Sequence, residues 1–226
     1  MKTSTMAAAR TVSPAARRAP AARRRTQAER RATTRARLLE AALDALVEHG
    51  YAGFTTTVVG KTAGLSQGAL FLHFPTKSVL LAATIEHLFL DMVSAYEKRF
   101  ARLDGARDRL TSALELLWDV FQDPRLLAAF ELFTASRTDG ELRASLAPVL
   151  ARHGENLRAV AAALLPEAAA QPERFELCVG LVMMAMQGMA LSSIVEPASD
   201  RARPAIPFLT EAYHRLLAPA PSRAGR

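Results

Sequence analysis

One cysteine, Cys178, is present, and it sits inside an apolar run. A lone thiol forms neither an internal disulfide nor a cysteine-based metal site, and a reducing cytoplasm is the simplest compartment for such a chain. The plainer role for that thiol is a buried, inert one. Only 6% of the 226 residues are aromatic, although half are hydrophobic. Alanine and leucine supply the difference and β-branched runs are short, which favours helices over sheets. No apolar core of the kind a secretory signal needs stands near the N-terminus. The Arg- and Ala-rich, acid-poor start leaves a mitochondrial transit peptide as a second reading. Catalytic constellations are missing too. The five histidines, at 49, 73, 87, 153 and 214, are scattered, with neither an HExxH spacing nor a phosphate-cradling glycine loop. His153 and Glu155 read as a solvated helix face. The sequence therefore points away from an enzyme, and it names no metal ligand and no cofactor.

Acidic residues are almost absent from the first 37 positions. Eleven Lys and Arg stand there against Glu29, a net +10, so the remaining 189 residues carry −3 of the chain's +7. A basic arm on a near-neutral body suits an anionic polymer or surface. Residues 1–25 have almost no large apolar side chain and read as a disordered basic arm. That arm, with Arg23, Arg24 and Arg25 at its end, is either a solvated tail or a phosphate-seeking one. Charge is also absent from 177–195, 19 positions between Glu176 and Glu196. This is near the length of a membrane span. Gln187, Ser192 and Ser193 weaken that reading and no second stretch of the kind stands out, so a buried core helix is expected and no membrane.

What the sequence does contain is helical periodicity. Leu38, Leu39, Ala42, Leu43 and Leu46 recur at spacings of three and four within a helix over about 27–49, ended by Gly50. Arg30, Arg31, Arg35 and Arg37 crowd its first half, where cations oppose the helix dipole, so a partner explains them better than helix stability does. Tyr51 and Phe54 are expected to pack inward. Further helices are read over about 77–102, 106–122, 124–136, 140–165 (with a kink at Pro148), 172–195 and 205–218, and residues 219–226 as a disordered tail. The expected fold is all-α, with about nine helices.

The organising stretch is 55–77, TTTVVGKTAGLSQGALFLHFPTK. Two short helices, 56–63 and 67–73, flank a turn at Gly64-Leu65-Ser66, with Thr55 and Ser66 as caps. A helix, a tight turn with glycine and a second short helix is the shape of a helix-turn-helix, whose second helix enters the DNA major groove. Residues 50–77 resemble the DNA-binding segment of the TetR family of transcriptional regulators, with the most specific match over 63–77 and a likeness running over about 30–90. The resemblance implies an N-terminal three-helix helix-turn-helix domain over 26–76 (motif at 55–74) and a C-terminal helical bundle over 77–218 that binds ligand and dimerises. It implies a sequence-specific regulator, most simply a repressor released by a small apolar or amphipathic molecule. The other reading is a nonspecific or architectural nucleic-acid-binding protein driven by the Arg-rich arm.

By resemblance, Thr55 and Thr56 meet DNA phosphates, Ser66, Gln67 and Gly68 open the recognition helix, Phe71 stands where the family usually has Tyr, and His73 and Lys77 match phosphate-contacting positions. The residue types suit these roles: hydroxyls and Lys donate to phosphate, Gln pairs bidentately with adenine, and Gly68 permits close approach. The plainer readings are Thr55, Thr56 and Thr57 as caps alone, Gln67 as a solvated surface residue, and His73 as a packed or merely exposed histidine. Three residues depart from the family pattern. Phe71 lacks a hydroxyl and keeps only packing or contact with a thymine methyl. Leu72 adds no hydrogen bond. Gly60 replaces the more usual Ala, at up to about 1 kcal/mol.

In the second domain the 172–195 helix looks buried nearly all round. Gly180, Met184, Gly188 and Ser192 fall on one stripe where another helix can approach. The last helix repeats apolar pairs at Phe208/Leu209, Ala212/Tyr213 and Leu216/Leu217. A two-fold four-helix bundle between subunits would bury both faces and space two recognition helices about 34–36 Å apart on a palindromic operator. The other arrangement packs these faces within one subunit. The ligand pocket expected by resemblance has as candidates Phe89, Trp118, Phe121, Phe130, Phe133, Met183, Met184 and Met186, although aromatics and methionines at helical spacing are usually core residues.

Overall fold

The computed structural model describes residues 26–102, 109–195 and 205–217. The basic arm with Arg23, Arg24 and Arg25, residues 103–108 and 196–204, and the C-terminal tail lie outside the described residues. Among the described residues the chain is all-helical. Its helices are α1 (Gln27–Gly53), α2 (Thr56–Ala63), α3 (Gln67–His73), α4 (Lys77–Phe100), α5 (Arg109–Phe121), α6 (Pro124–Ala135), α7 (Gly140–Leu164), the short α8 (Pro166–Ala169), α9 (Pro172–Val195) and α10 (Ala205–Leu217).

Local chemistry sets most helix ends. Thr26 and Glu29 form a reciprocal capping box at α1, the Thr26 hydroxyl accepting from Glu29 N–H and the Glu29 carboxylate from Thr26 N–H at 2.7 Å. Thr55, Ser66, Thr76 and Asp139 each accept a backbone N–H three residues on, capping α2, α3, α4 and α7. Pro124 follows the Asp123 cap at the first position of α6. α7 runs as one helix through Pro148.

Three α1 arginines have duties inside the fold or beside it. Arg37 Nη2 donates to Ala63 O at 2.6 Å, closing the C-terminal end of α2, and Arg35 lies 5.3 Å over the Phe74 ring. Arg31 faces His73 electrostatically. For Arg35 and Arg37 the partner is thus the protein itself, which revises the reading of the arginine cluster. Gly60 is also revised. A Cβ there would sit 3.1 Å from Leu65 O, and Leu65 N–H donates to Gly60 O at 2.8 Å. Its missing side chain lets the turn fold back tightly onto α2, with Gly64 in the left-handed conformation at φ 63°.

α1 packs on α2, α4 and α6, and α4 packs most extensively on α7. Phe54, Leu70, Phe74, Leu80, Ile85 and Leu88 are fully buried in one continuous core that runs from α1 into the bundle. Two helices, α4 and α9, are long and apolar enough to cross a membrane by length and composition, so a second such stretch does exist. Half of α4's stretch is buried within the protein but only 22% of α9's. α9 is therefore not buried all round. Phe175, Cys178, Val182, Met186 and Ala190 face inward at helical spacing, while Leu177, Leu181, Met184 and Val195 lie exposed on the other side.

Candidate nucleic-acid interface and internal cavity

α3 shows the solvent one face: Gln67, Gly68, Phe71 and Leu72. Leu70, between them, is fully buried, as a 3.6-residue period requires. Leu72 is 80% exposed and Phe71 44% exposed, so the outermost surface of this helix is apolar. The Gln67 amide donates from Nε2 to Thr57 Oγ1 at 2.5 Å, bridging α3 to α2. That bond uses one of the two Nε2 hydrogens and leaves the second as a donor for a base edge. The hydroxyls of Thr55 and Ser66 are already accepting backbone N–H groups as caps. Gly68 leaves open space above it, since an added Cβ would meet nothing nearer than Ser66 Oγ at 4.0 Å. Burial, with the charges of Arg31 and Arg35, holds the His73 imidazole below its ordinary range and so neutral near pH 7.

Lys77 is placed otherwise than a phosphate contact suggests. Its ammonium lies 4.5 Å over the Tyr51 ring and 5.5 Å from the Phe54 ring. Burial lowers its pKa and the nearby Asp139 carboxylate opposes that shift. Tyr51 donates its hydroxyl to Asp139 Oδ2 at 2.8 Å, and Tyr51 N–H donates to Glu131 Oε2 at 2.8 Å. The backbone just before, at Gly50, adopts φ 63° and ψ 179° and kinks α1 there. A Cβ on Gly50 would stand 2.9 Å from Glu131 Oε2. Tyr51, Lys77, Glu131 and Asp139 thus form a polar junction tying the end of α1 and the start of α4 to α6 and α7. The sequence reading missed it, because its hydrogen bonds span 80 and 88 positions.

A cavity of 290 Å³ opens among α4, α5, α6, α7, α9 and α10. Of the eight candidates, Phe89, Phe121, Phe130, Phe133 and Met183 line it. Trp118 and Met186 are buried elsewhere in the core, and Met184 is 71% exposed on the outer face of α9. His153 also lines the cavity, stacked on Phe89 with ring centroids 3.8 Å apart and planes 11° apart. The expectation of a solvated His153 is thereby corrected. Burial pushes its pKa down to about 4. The signal was present in Leu150, Leu157, Val160 and Leu164, which put position 153 on an apolar ridge of α7.

Of the proposed interface residues, Phe208 is 73% exposed and Leu216, Gly188 and Ser192 are exposed as well. An added Cβ at Gly180 or Gly188 would meet nothing within 4 Å, so no helix of the described chain fills that stripe. Ala212 is half-buried. Tyr213 is 4% exposed and lines the cavity, on the inner side of α10 rather than on a seam. One further cluster joins α1 to α4. His87 Nε2 lies 2.6 Å from Glu40 Oε1 and 3.6 Å from Asp91 Oδ2. These three donors are close enough together to hold a metal ion, yet the positive charge of Arg125 also acts on both carboxylates. The 2.6 Å hydrogen bond between His87 Nε2 and Glu40 Oε1 accounts for the group without one.

Residues 38–84 match the family described as bacterial regulatory proteins, tetR family. The chain is 36% identical to an uncharacterized HTH-type transcriptional regulator of Mycobacterium tuberculosis over 178 residues, 78% of this chain and 91% of that one. It is 31% identical to the HTH-type transcriptional regulator CymR of Pseudomonas putida over 168 residues, 74% of this chain and 83% of that one. In fold it is similar to the transcriptional regulator FadR of Bacillus subtilis in complex with stearoyl-CoA, with a TM-score of 0.60 at 16% identity over 79% of this chain and 96% of that one.

Proposed function

The chain belongs to the TetR family of bacterial transcriptional regulators, and from that premise we propose that it is a repressor that grips a palindromic operator as a cytoplasmic homodimer and releases it when a small apolar or amphipathic molecule enters the cavity. The observation that carries this reading is the placement of α4. Its first residue, Lys77, sits in the junction behind the helix-turn-helix, and twelve positions later Phe89 lines the cavity. One rigid helix therefore touches both ends of the switch, and a shift at Phe89 re-aims α2 and α3. The fatty acyl-CoA complex of the FadR structure is consistent with a ligand site in this fold.

The exposed face of α3 does the reading. Phe71 and Leu72 meet thymine methyl groups in the major groove, and Gln67 adds the main polar contact. His73, Thr55, Thr56 and Ser66 position the head on phosphates, and Arg23, Arg24 and Arg25 add nonspecific attraction. The open stripe of Gly180, Gly188 and Ser192 on α9, with Phe208 and Leu216 on α10, forms the two-fold contact. Selection of bound fragments from a random DNA pool tests the whole reading. Palindromic sites with half-sites about one DNA turn apart are expected. The double change Gln67→Ala and Leu72→Ala should weaken the selected site by about 2–3 kcal/mol and leave nonspecific binding unchanged. Sequence-independent binding that collapses with salt would overturn it in favour of the arm-driven architectural protein.

A further inference from the structure

The cavity offers an ion nothing to pair with. Its lining holds no Asp, Glu, Lys or Arg among the described residues. Bringing an unpaired charge into such surroundings is strongly disfavoured. The polar atoms in the wall are few. The Tyr96 hydroxyl is engaged, donating to Ala113 O at 2.9 Å. His153, Gln187 and Tyr213 make no hydrogen bond among the described residues, and Tyr213 is 4% exposed. Of these, His153 is held by an aromatic stack: its ring lies parallel to that of Phe89, which sets the plane of the imidazole. The imidazole is neutral near pH 7, so one nitrogen donates and the other accepts.

Building on the ligand-responsive reading above, we infer that the cavity takes an uncharged, largely apolar molecule bearing a single hydroxyl or carbonyl group, and that His153 is the side chain that reads that group. The apolar body of the molecule is held by leucine, valine and phenylalanine side chains contributed by five or more helices. Its one polar atom is satisfied by an imidazole nitrogen that otherwise has no hydrogen-bonding partner among the described residues. Because the other face of the same ring rests on Phe89, a ligand held by His153 bears directly on α4.

A matched set on one carbon skeleton tests this on the full-length chain without DNA: tetralin, 1-tetralol, 1-tetralone, tetralin-1-carboxylate and 1-aminotetralin, by calorimetry near pH 7.5. The alcohol and the ketone should bind at least about tenfold more tightly than the carboxylate and the ammonium. His153→Phe keeps an aromatic ring on Phe89. It should weaken the ketone about fivefold while tetralin binds as before, and His153→Gln should recover part of the loss. Undiminished tetralin binding certifies that the variant's cavity is intact. The inference is overturned if a charged member binds as tightly as the neutral ones, if no member binds, or if His153→Phe leaves the ketone-to-tetralin ratio unchanged, which would hand the reading to Tyr213 or Gln187. None of these measurements involves the operator. A protein that fails to select DNA yet binds the ketone therefore loses the regulator reading alone, and the reverse result loses this inference alone.

Discussion

The start of α4 and its middle are built on opposite principles. At the start, Lys77, Tyr51, Glu131 and Asp139 are held by charge and by hydrogen bonds of 2.8 Å. In the middle, Phe89 and His153 stack beside open apolar space, and the imidazole has no hydrogen-bonding partner among the described residues. Directional bonds fix one geometry and transmit a shift faithfully. Uncommitted space lets a third body enter. The proposed switch needs both, and this helix has one at each place.

Breaking the junction gives the largest expected effect. Gly50→Ala places a side chain at φ 63°, ψ 179° and drives its Cβ to 2.9 Å from Glu131 Oε2. A loss of about 2–4 kcal/mol is expected, read as the denaturation midpoint in urea, with weaker operator binding in the same protein. If the loss is under about 0.5 kcal/mol, the Gly50–Glu131 contact is not part of the fold's rigidity.

Acid should act next, and at the other place. Burial sets the folded-state pKa of His153 at about 4, below the ordinary value of 6.5, so the unfolded chain binds that proton more readily. The stability this contributes is complete above about pH 6.5 and is lost as pH falls from there towards 4. His73 is depressed as well, and the two are separated by difference. The melting temperature of His153→Phe should fall less steeply than that of the parent between those pH values. Parallel curves would mean that His153 is not held neutral by its surroundings.

Tyr51→Phe is the mildest change. It removes the hydroxyl that donates to Asp139 and keeps the ring under Lys77. About 1 kcal/mol of stability should go. If coupling runs through this bond, the neutral ligand should then bind as before but release operator less completely. Unchanged release would confine the coupling to the apolar contacts of α4 with α1.

The parts of the fold that were legible in the sequence share a short range. Thr55, Gly64 and Ser66 act on groups within a few positions, and they set the bounds of α2 and the start of α3 as expected. The junction was illegible because each member has a local duty that hides the distant one. Asp139 caps α7 through Leu142 N–H, and nothing in its neighbours says that Tyr51 reaches it. The cavity was half legible. Aromatic spacing located its walls, but Met183 and Met184 differ by one position, about 100° of helix rotation, and only one faces inward. For α9, apolar residues all around the helix could not distinguish a core facing this chain's own helices from one left open on a second side.

The exposed Leu72 and Phe71 carry one more consequence, for heat rather than geometry. Were they to meet methyl groups as proposed, the reading head would shed ordered water when it finds its site, and little of it elsewhere. Its discrimination between sites then has a negative heat-capacity change and weakens on cooling, whereas attraction by the charged arm follows salt. Selectivity of the proposed reading head should therefore rise with temperature while the head stays folded, which calorimetry of selected against unrelated DNA at several temperatures would show.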